Sequence, residues 1–277
     1  MLDVAVPTRE PLPVPTEKVV HFRAGGFLEE GARRPLASIL GAVVLIGFWQ
    51  LASSVGWVRQ SFLPSPVSVL RELLELAWSG QLWLDLGASL MRFGIGWVSG
   101  CLLGVVSGVA MGLFTAARAV GEPLISALFP VPKIALLPLI ILWLGIGELS
   151  KDVTIAASVF FPMVIATYTS IDAVPRNLIR MGQSFSMPTR AIILKIVLPG
   201  AVPGLVAGLR ISASVGLLTV IVAEMVGAQH GIGAFTLLAG SLLRSDQVIA
   251  GVVVIALVGL VIGIAITTIE RRLLRWR

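Results

Sequence analysis

The segment Arg176–Pro199, RNLIRMGQSFSMPTRAIILKIVLP, is a polar and basic stretch between two long apolar runs. A portion with helical periodicity comes first, a break follows at Ser186-Met187-Pro188-Thr189, and a second short helical run completes it. Pro188 has a fixed φ and no N–H, so it suits the start of a helix and not its interior. The pattern predicts two short helices joined by a turn, held in water between membrane spans. On its predicted shape alone, the segment would be interpreted as an ordinary loop outside the membrane. The functional alternative is that it docks a soluble partner.

The composition places the chain among integral membrane proteins. Of its 277 residues, 56% are hydrophobic and 13% are charged, whereas soluble domains carry about 25% charged residues. Several apolar runs reach the roughly 20 residues that cross a hydrocarbon core as a helix. The net charge of +6 invites a nucleic-acid interpretation, but the basic residues lie mainly at the ends of the apolar runs, as membrane topology requires. We therefore expect an all-α polytopic membrane protein that contacts the lipid bilayer and no nucleic acid.

Six transmembrane helices are predicted from the apolar runs. Their approximate ranges are 36–55, 86–114, 123–144, 153–171, 200–226 and 248–269. Together they define a transmembrane domain at 36–270, which contains the 176–199 loop and is flanked by a tail at 1–35 and a basic tail at 271–277. Between the first two spans, Ser65 and Pro66 are suited to begin an amphipathic helix at the membrane surface.

The distribution of basic residues predicts the topology. An even number of spans puts both termini and the 176–199 loop on one side of the membrane. That side holds far more Lys and Arg than the other, whose basic residues are Arg59, Arg71, Lys151 and Arg244. Because cytoplasmic loops carry the excess of Lys and Arg, we expect the N and C termini and the loop to be cytoplasmic.

Small residues recur every fourth position in the second and fifth predicted spans. The two stripes are Gly96, Gly100, Gly104, Gly108 and Gly112, and Gly200, Gly204, Gly208, Ser212 and Gly216. In lipid, such stripes let helix backbones approach closely. We expect these two helices to pack closely, within or between subunits; the functional alternative is that the glycines line a translocation path.

The end of the opening segment, Ile196-Val197-Leu198-Pro199-Gly200, resembles the EAA loop of binding-protein-dependent ABC importer permeases. That family's pattern is Glu-Ala-Ala, three residues, Gly, nine residues and Ile-x-Leu-Pro. When the pattern is anchored on Leu198 and Pro199, Ile196 matches its final Ile. The remaining positions of the pattern fall on Arg180, Met181, Gly182 and Ser186, and the turn continues with Met187 and Pro188.

The front half of the loop departs from this pattern. Arg180 stands at the position of the Glu, and Ser186 stands at the position of the Gly. An acidic contact would therefore be absent. Ser186 must adopt the conformation that glycine supplies there, or the turn differs; alternatively, Ser186 caps the next helix ahead of Pro188.

Other segments look like the nitrate/sulfonate/taurine branch of these permeases. They are Phe62–Leu73, Leu86–Trp97, Pro130–Lys151 and Leu198–Gly233, and the resemblance extends over Leu36–Ile269. It implies the type I ABC importer permease fold in a bacterial inner membrane. It also implies a second, identical permease subunit, a dimer of cytoplasmic ABC ATPase subunits and an extracytoplasmic substrate-binding protein. The expected function is import of a small anionic solute (nitrate, bicarbonate, sulfonate or taurine type) by alternating access coupled to the ATPases.

The chain lacks the residues for ATP hydrolysis of its own. No Gly-x-x-x-x-Gly-Lys-Ser/Thr loop occurs, and the only lysines are Lys18, Lys133, Lys151 and Lys195. Two isolated histidines and one cysteine make a metal or hydrolase site improbable. We expect no cofactor, metal or catalytic site on this chain, with ATP and Mg bound by the partner ATPase subunits.

Charged residues and prolines within the spans are candidates for the translocation pathway, because charges in a membrane are expensive and are functional hypotheses by default. The candidates are Lys133, Pro130, Pro132, Pro138, Arg210, Glu224 and Arg92. Lys133 is favoured since the prolines open the helix around it. The alternative for the charges, above all Arg92 and Glu224, is structural pairing.

An ion-coupled secondary carrier is the rival function from another class. Such a carrier would show internal repeats and several intramembrane carboxylates. No convincing repeat is present, and Glu224 is nearly alone among the acidic residues of the spans.

Overall fold

The computed structural model describes residues 33–57, 59 and 61–273, and every regular element in these ranges is helical. The chain divides after Gly47 into two units, of which the second begins at Phe48. Most of the predicted N-terminal tail and the last residues of the predicted C-terminal tail lie outside the described residues. The α-helices are α1 (Arg33–Ser54), α2 (Pro66–Trp78), α3 (Gln81–Leu113), α4 (Thr115–Leu128), α5 (Leu137–Leu144), α6 (Glu148–Asp172), α7 (Arg176–Ser184), α8 (Thr189–Ile192), α9 (Leu198–Glu224), α10 (Ile232–Ser241) and α11 (Ser245–Leu273).

Four helical runs in the described part are long and apolar enough to cross a membrane. They are α3, α6, α11 and the continuous run Thr189–Glu224, which joins α8 to α9. The pair Thr115–Leu128 and Lys133–Leu144 gives a fifth if it counts as one bent span. In α1, the apolar part within the described residues is Val43–Ser54, which is shorter than a full span. Six spans and cytoplasmic termini therefore stay a prediction.

The span predicted at 123–144 is not one straight helix. α4 begins at Thr115, and the chain bends by 83° after Leu128 before it continues as a 3₁₀ turn at Lys133–Leu136 and as α5. Pro130 and Pro132 lie in the break, where neither can donate the backbone hydrogen bond that would continue the helix. Pro138 lies in the first turn of α5, where the missing N–H costs nothing because it would have no intrahelical partner.

The start of α2 confirms the predicted cap. The Ser65 side chain accepts a hydrogen bond from the backbone N–H of Ser68 at 3.1 Å, and Pro66 occupies the first turn.

α6 is the buried centre of the second unit. Its apolar side chains Ile155, Val159, Met163 and Val164 are 0–1% exposed. Buried hydroxyls on the same helix are satisfied locally, as in Thr167, whose Oγ1 donates to the Met163 carbonyl at 2.7 Å. A polar group in a dry interior is tolerated when it is hydrogen-bonded in this way.

Both small-residue stripes face α6, and not chiefly each other. A Cβ on Gly100 would lie 2.5 Å from the carbonyl oxygen of Ala156, and one on Gly208 would lie 2.5 Å from the Cβ of Ala166. The two striped helices also meet directly, where Trp97 Nε1 donates to Ser212 Oγ at 3.1 Å. The close packing expected of the stripes is thus made mostly with a third helix, which the sequence pattern did not indicate.

The Gly100→Ala substitution should destabilise the protein by about 1–3 kcal/mol, the usual cost of overpacking, because the new methyl group meets the backbone of α6. Gly94→Ala, on the same helix, is the matched control, since a Cβ there has no atom within 4 Å. The control should be neutral or stabilising, as alanine favours a helix interior over glycine. Thermal unfolding of the detergent-purified protein measures both, and equal melting temperatures for the two variants would contradict the α3–α6 packing.

Candidate functional site

The turn of the coupling segment, defined as Arg176–Pro199, closes α7 with two backbone hydrogen bonds. The N–H of Met187 donates to the carbonyl of Gly182 at 3.1 Å, and the N–H of Ser186 donates to the carbonyl of Gln183 at 2.9 Å. This is the Schellman arrangement, which places one residue in the left-handed region and usually uses glycine there. Ser186 is that residue, with φ at 54°. It therefore adopts the conformation expected of glycine, and α8 has no side-chain cap at its N terminus.

Gly182 lets α7 lie against the second half of the segment. A Cβ at Gly182 would be 3.0 Å from the Cδ1 of Ile196 and 3.3 Å from the Cγ1 of Ile192. Together with Val174 and Val197, Ile192 belongs to a buried cluster beneath α7. α7 is thus packed against these side chains.

The second half of the segment is continuous with the span that follows it. α8 leads through a π-helical turn at Ile193–Val197 into α9, so that Thr189–Glu224 forms one run of 36 residues. Leu198 follows the π turn, and Pro199 lies in the first turn of α9, where its missing N–H is tolerated. A continuous hydrogen-bonded helix resists bending, so it is a suitable lever between the coupling segment and the span.

A cavity of about 420 Å³ opens beside the break between α4 and α5; we name it the broken-helix pocket. Lys133 lies on its wall, and its Nζ donates to the carbonyls of Leu128 at 2.8 Å and Phe129 at 2.7 Å. These carbonyls belong to the C-terminal end of α4. The Leu128 carbonyl also accepts from the N–H of Val131 at 3.2 Å, so the ammonium adds a second bond there and satisfies the Phe129 carbonyl at the helix end. The same Nζ lies 4.0 Å from the ring centroid of Phe161. The pocket is lined by Phe129, Pro130, Val131, Pro132, Lys133, Ile134, Ser158, Pro162, Ile211, Val215, Leu218, Thr219 and Val222.

The broken-helix pocket is the start of a longer groove between α6 and α9. A second cavity of about 470 Å³ shares Phe129, Pro162 and Ile211 with it. A third cavity of about 530 Å³ shares Ser170 and Gly204 with the second and extends to the beginning of α9. The groove therefore runs from the helix break towards the coupling segment.

Arg92 is buried near the N-terminal end of α6, where it pairs with one exposed carboxylate, Glu148, and one buried carboxylate, Glu224. It is 6% exposed; its Nε and Nη2 donate to Glu148, and its Nη1 donates to Glu224 Oε1 at 2.7 Å and to the carbonyl of His230 at 2.7 Å. The side chain of Glu224 is completely buried. Both residues were pathway candidates, and the structure gives each of them an ion-pair partner away from the broken-helix pocket.

The same cluster fixes the glycine-rich connection that follows α9. Glu224 Oε2 accepts from the N–H of Gly233 at 2.9 Å and from Ser89 Oγ at 2.9 Å, while Asp85 Oδ1 accepts from the N–H of Gly231 at 2.9 Å. Gly231 has φ at +136°, and a side chain there would collide with Glu224. We call this cluster the Arg92 network; its members are Asp85, Ser89, Arg92, Glu148 and Glu224.

Sequence reasoning missed Asp85, Ser89 and Glu148 as members of this network. Asp85, Ser89 and Arg92 are four and three residues apart on α3, which puts them on one face of the helix. This spacing is the feature of the sequence that indicates a shared polar face on α3. Their partners lie 56 to 146 residues away along the chain, so the pattern within α3 could not reveal them.

The remaining candidate, Arg210, pairs near the C-terminal end of α11. Its Nη2 donates to Glu270 Oε2 at 2.6 Å and lies 3.3 Å from Thr267 Oγ1. Half of the Arg210 side chain is exposed. Of the pathway candidates, the structure brings Lys133, Pro130 and Pro132 together at the broken-helix pocket; Pro138, Arg92, Glu224 and Arg210 are not among the residues lining it.

A family comparison agrees with this architecture. Residues 100–275 match the model of the family described as "Binding-protein-dependent transport system inner membrane component". The chain belongs to this family. Like its other members, this permease is a membrane component of an ABC transport system, and its described part holds several apolar helices that suit a multi-pass protein.

Relatives of the permease match it over most of its length. It is 34% identical to the taurine transport system permease protein TauC of Escherichia coli (strain K12), over 88% of this chain and 91% of that protein. It is 36% identical to the putative aliphatic sulfonates transport permease protein SsuC of the same organism, over 84% of this chain and 89% of that protein. The corresponding SsuC of Bacillus subtilis (strain 168) is 32% identical over 87% of this chain and 88% of that protein.

A solved structure shares the fold of the permease. It is an inward-facing conformation of the MetNI methionine ABC transporter, with a TM-score of 0.59 at 20% identity, and the match covers 72% of this chain and 98% of that chain. At this identity the likeness concerns the fold alone.

Replacing Arg92 by Met should destabilise the permease by about 3–5 kcal/mol, because it leaves the buried carboxylate of Glu224 without its cation. Arg210→Met is the matched control. It breaks a half-exposed ion pair and should cost no more than about 1 kcal/mol. Thermal unfolding in detergent compares them. The structural role of the Arg92 network would be refuted by an Arg92→Met variant as stable as the control.

Proposed function

We propose that this permease imports small organic sulfonates, such as taurine or an alkanesulfonate, through the groove between α6 and α9. The observation that carries the proposal is that the lining of the broken-helix pocket suits the class of solute for which the relatives are named. Relatives at 34% and 36% identity are named for taurine and aliphatic sulfonates. The broken-helix pocket combines apolar walls with Lys133 as its one charged lining residue, which is suited to an anionic head and a small organic body.

We propose an assembly around the chain of the kind that the family's description suggests. The permease works as a pair of identical subunits in a bacterial inner membrane, with six spans per subunit and both termini in the cytoplasm. A dimer of ABC ATPases binds ATP and Mg on the cytoplasmic side, and a substrate-binding protein delivers the solute from outside. The chain itself carries no catalytic site. Support comes from the family's description as the inner membrane component of binding-protein-dependent transport.

Lys133 contacts the anion on its way through the membrane. Two of its three N–H donors are used by the carbonyls of Leu128 and Phe129, so one remains for a ligand. Hydrogen bonds that involve a charged group are about twice as strong as neutral ones. The two carbonyls hold the ammonium in place, so that little of the side chain's freedom is lost when an anion binds.

The coupling segment transmits the state of the ATPases to the groove. α7 binds the ATPase, and its packing on Ile192 and Ile196 passes movement to the continuous run Thr189–Glu224. The same run supplies Ile211, Val215 and other residues to the wall of the broken-helix pocket. Closure of the ATPase dimer therefore changes the width of the groove.

Uptake by proteoliposomes tests the function. The complete complex, with its ATPase and binding protein, should accumulate labelled taurine or an alkanesulfonate only when ATP is present. Omission of the binding protein should abolish uptake, and omission of the ATPase should do the same. Uptake driven by an ion gradient through the permease alone would support the rival secondary carrier and contradict the proposal.

The role of Lys133 is tested by the Lys133→Met and Lys133→Arg variants in the same vesicles. Loss of one hydrogen bond to a charged group costs about 1.5–3 kcal/mol, so sulfonate uptake by Lys133→Met should fall about tenfold or more. Lys133→Arg keeps the charge and should retain most of the activity. Melting temperatures of the purified complexes separate this effect from damage to α4. Unchanged uptake by a stable Lys133→Met complex would remove Lys133 from the pathway.

A further inference from the structure

α7 presents two different ridges to its surroundings. Leu178, Met181 and Phe185 follow one another at three- and four-residue intervals, so they share one side of the helix. These side chains are 39%, 51% and 75% exposed. Arg176 and Arg180 form a second ridge; they are four residues apart, and both are exposed. The opposite side of the helix, where Gly182 is buried, faces the rest of the protein.

The two ridges are separated by a polar strip. At 3.6 residues per turn, Asn177 and Ser184 lie between the apolar ridge and the basic ridge, directly opposite the packed side. The solvent face of α7 is therefore apolar on one flank and cationic on the other. The Schellman turn holds Phe185 at the tip of the apolar ridge.

The charge of the coupling segment is uniformly positive. Arg176, Arg180, Arg190 and Lys195 are its charged residues, and it contains no Asp or Glu. Within the residues that the structure describes, none of the four forms an ion pair; the neighbouring Asp172 is engaged by Arg118 at 2.6 Å. The cations of α7 are thus available to carboxylates of another molecule.

We infer that the partner surface for α7 is an acidic cleft, with an apolar pocket that takes Phe185 and at least one carboxylate that faces Arg180. The inference rests on the proposed function, in which the partner is the cytoplasmic ATPase. A surface that suits a glutamate at position 180, as in the EAA pattern, presents donors or cations and would repel this arginine. The charge at position 180 is reversed relative to the EAA pattern, so the ATPase surface that faces it must be reversed as well. The permease therefore binds its own ATPase and excludes ATPases whose surface is complementary to a glutamate at this position.

The arrangement of the ridges favours a protein over a lipid surface. A helix that lies on a membrane gathers its apolar side chains on one broad face and needs a large apolar area for stable binding. α7 has nine residues with Phe185 as its C-cap; it offers two exposed apolar side chains besides Phe185, and its cations lie on one flank only. A protein cleft can offer different chemistry to each flank, and a buried aromatic anchor beside an arginine is the usual composition of a strong contact.

Binding of the purified ATPase that co-purifies with the wild-type permease tests the inference. Arg180→Glu should weaken the complex on the order of a hundredfold, because it places like charges together. Arg180→Lys should retain binding, and Phe185→Ala should weaken it about tenfold or more. Arg71→Glu makes the same change of charge on an exposed residue of α2 and should leave binding unchanged. Substitution of one acidic cleft residue of the ATPase by Lys should restore binding to the Arg180→Glu variant.

The outcomes separate the inference from the proposed function. Deletion of Asn177–Thr189 should abolish ATPase binding; a stoichiometric complex after this deletion would overturn docking at the coupling segment altogether. If the deletion abolishes binding while Arg180→Glu binds as tightly as the wild type, or more tightly, the acidic cleft alone is refuted. Loss of binding to vesicles of anionic phospholipid by Arg180→Glu, with ATPase binding unchanged, would assign the basic ridge to the membrane and also refute it.

Discussion

The close approach of α6 to α3 and α9 is the constraint on which the rest of the structure depends. Inside a bilayer there is no hydrophobic drive to associate helices, so packing must hold them. Gly100 and Gly208 allow α6 to reach distances that any side chain would prevent. Once these helices are locked side by side, their ends bring together residues that are far apart in the chain. The Arg92 network, the groove and the coupling segment all occupy positions along this trio.

Charged residues at the two ends of the α3, α6 and α9 bundle differ in whether they are paired within the chain. In the Arg92 network, Arg92 and the carboxylate of Glu224 are buried and paired within the chain, and Glu148 pairs with Arg92 from the exposed surface. Hydrogen bonds from Gly231 and Gly233 to Asp85 and Glu224 fix the glycine-rich connection onto α3 and α9. A buried charge that loses its partner is very costly, so this end keeps its shape. In the coupling segment the cations are exposed and have no acidic neighbours within the segment. One end is suited to stay rigid, and the other is suited to bind a changing partner.

Much of the fold was predictable because local patterns determine it. Apolar run length indicated the long helices, and the Ser65 cap and the turn before Pro188 followed from residue preferences. Three features were not predictable. Periodicity reveals that proline breaks a helix, but not that the chain bends by 83° there. It also cannot reveal that the second half of the coupling segment fuses with α9, or that Arg92 finds Glu148, 56 residues away. These depend on contacts between distant parts of the chain.

The π turn at Ile193–Val197 has a consequence for the direction in which α7 points. A π turn holds one residue more than an α turn, and each residue of an α-helix rotates the chain by about 100°. The π turn therefore sets the angle about the α9 axis at which α7 and α8 are placed. Removal of a single residue there would swing Phe185 and Arg180 around the helix axis without touching either side chain. The direction in which α7 points therefore depends on the backbone register at the start of α9.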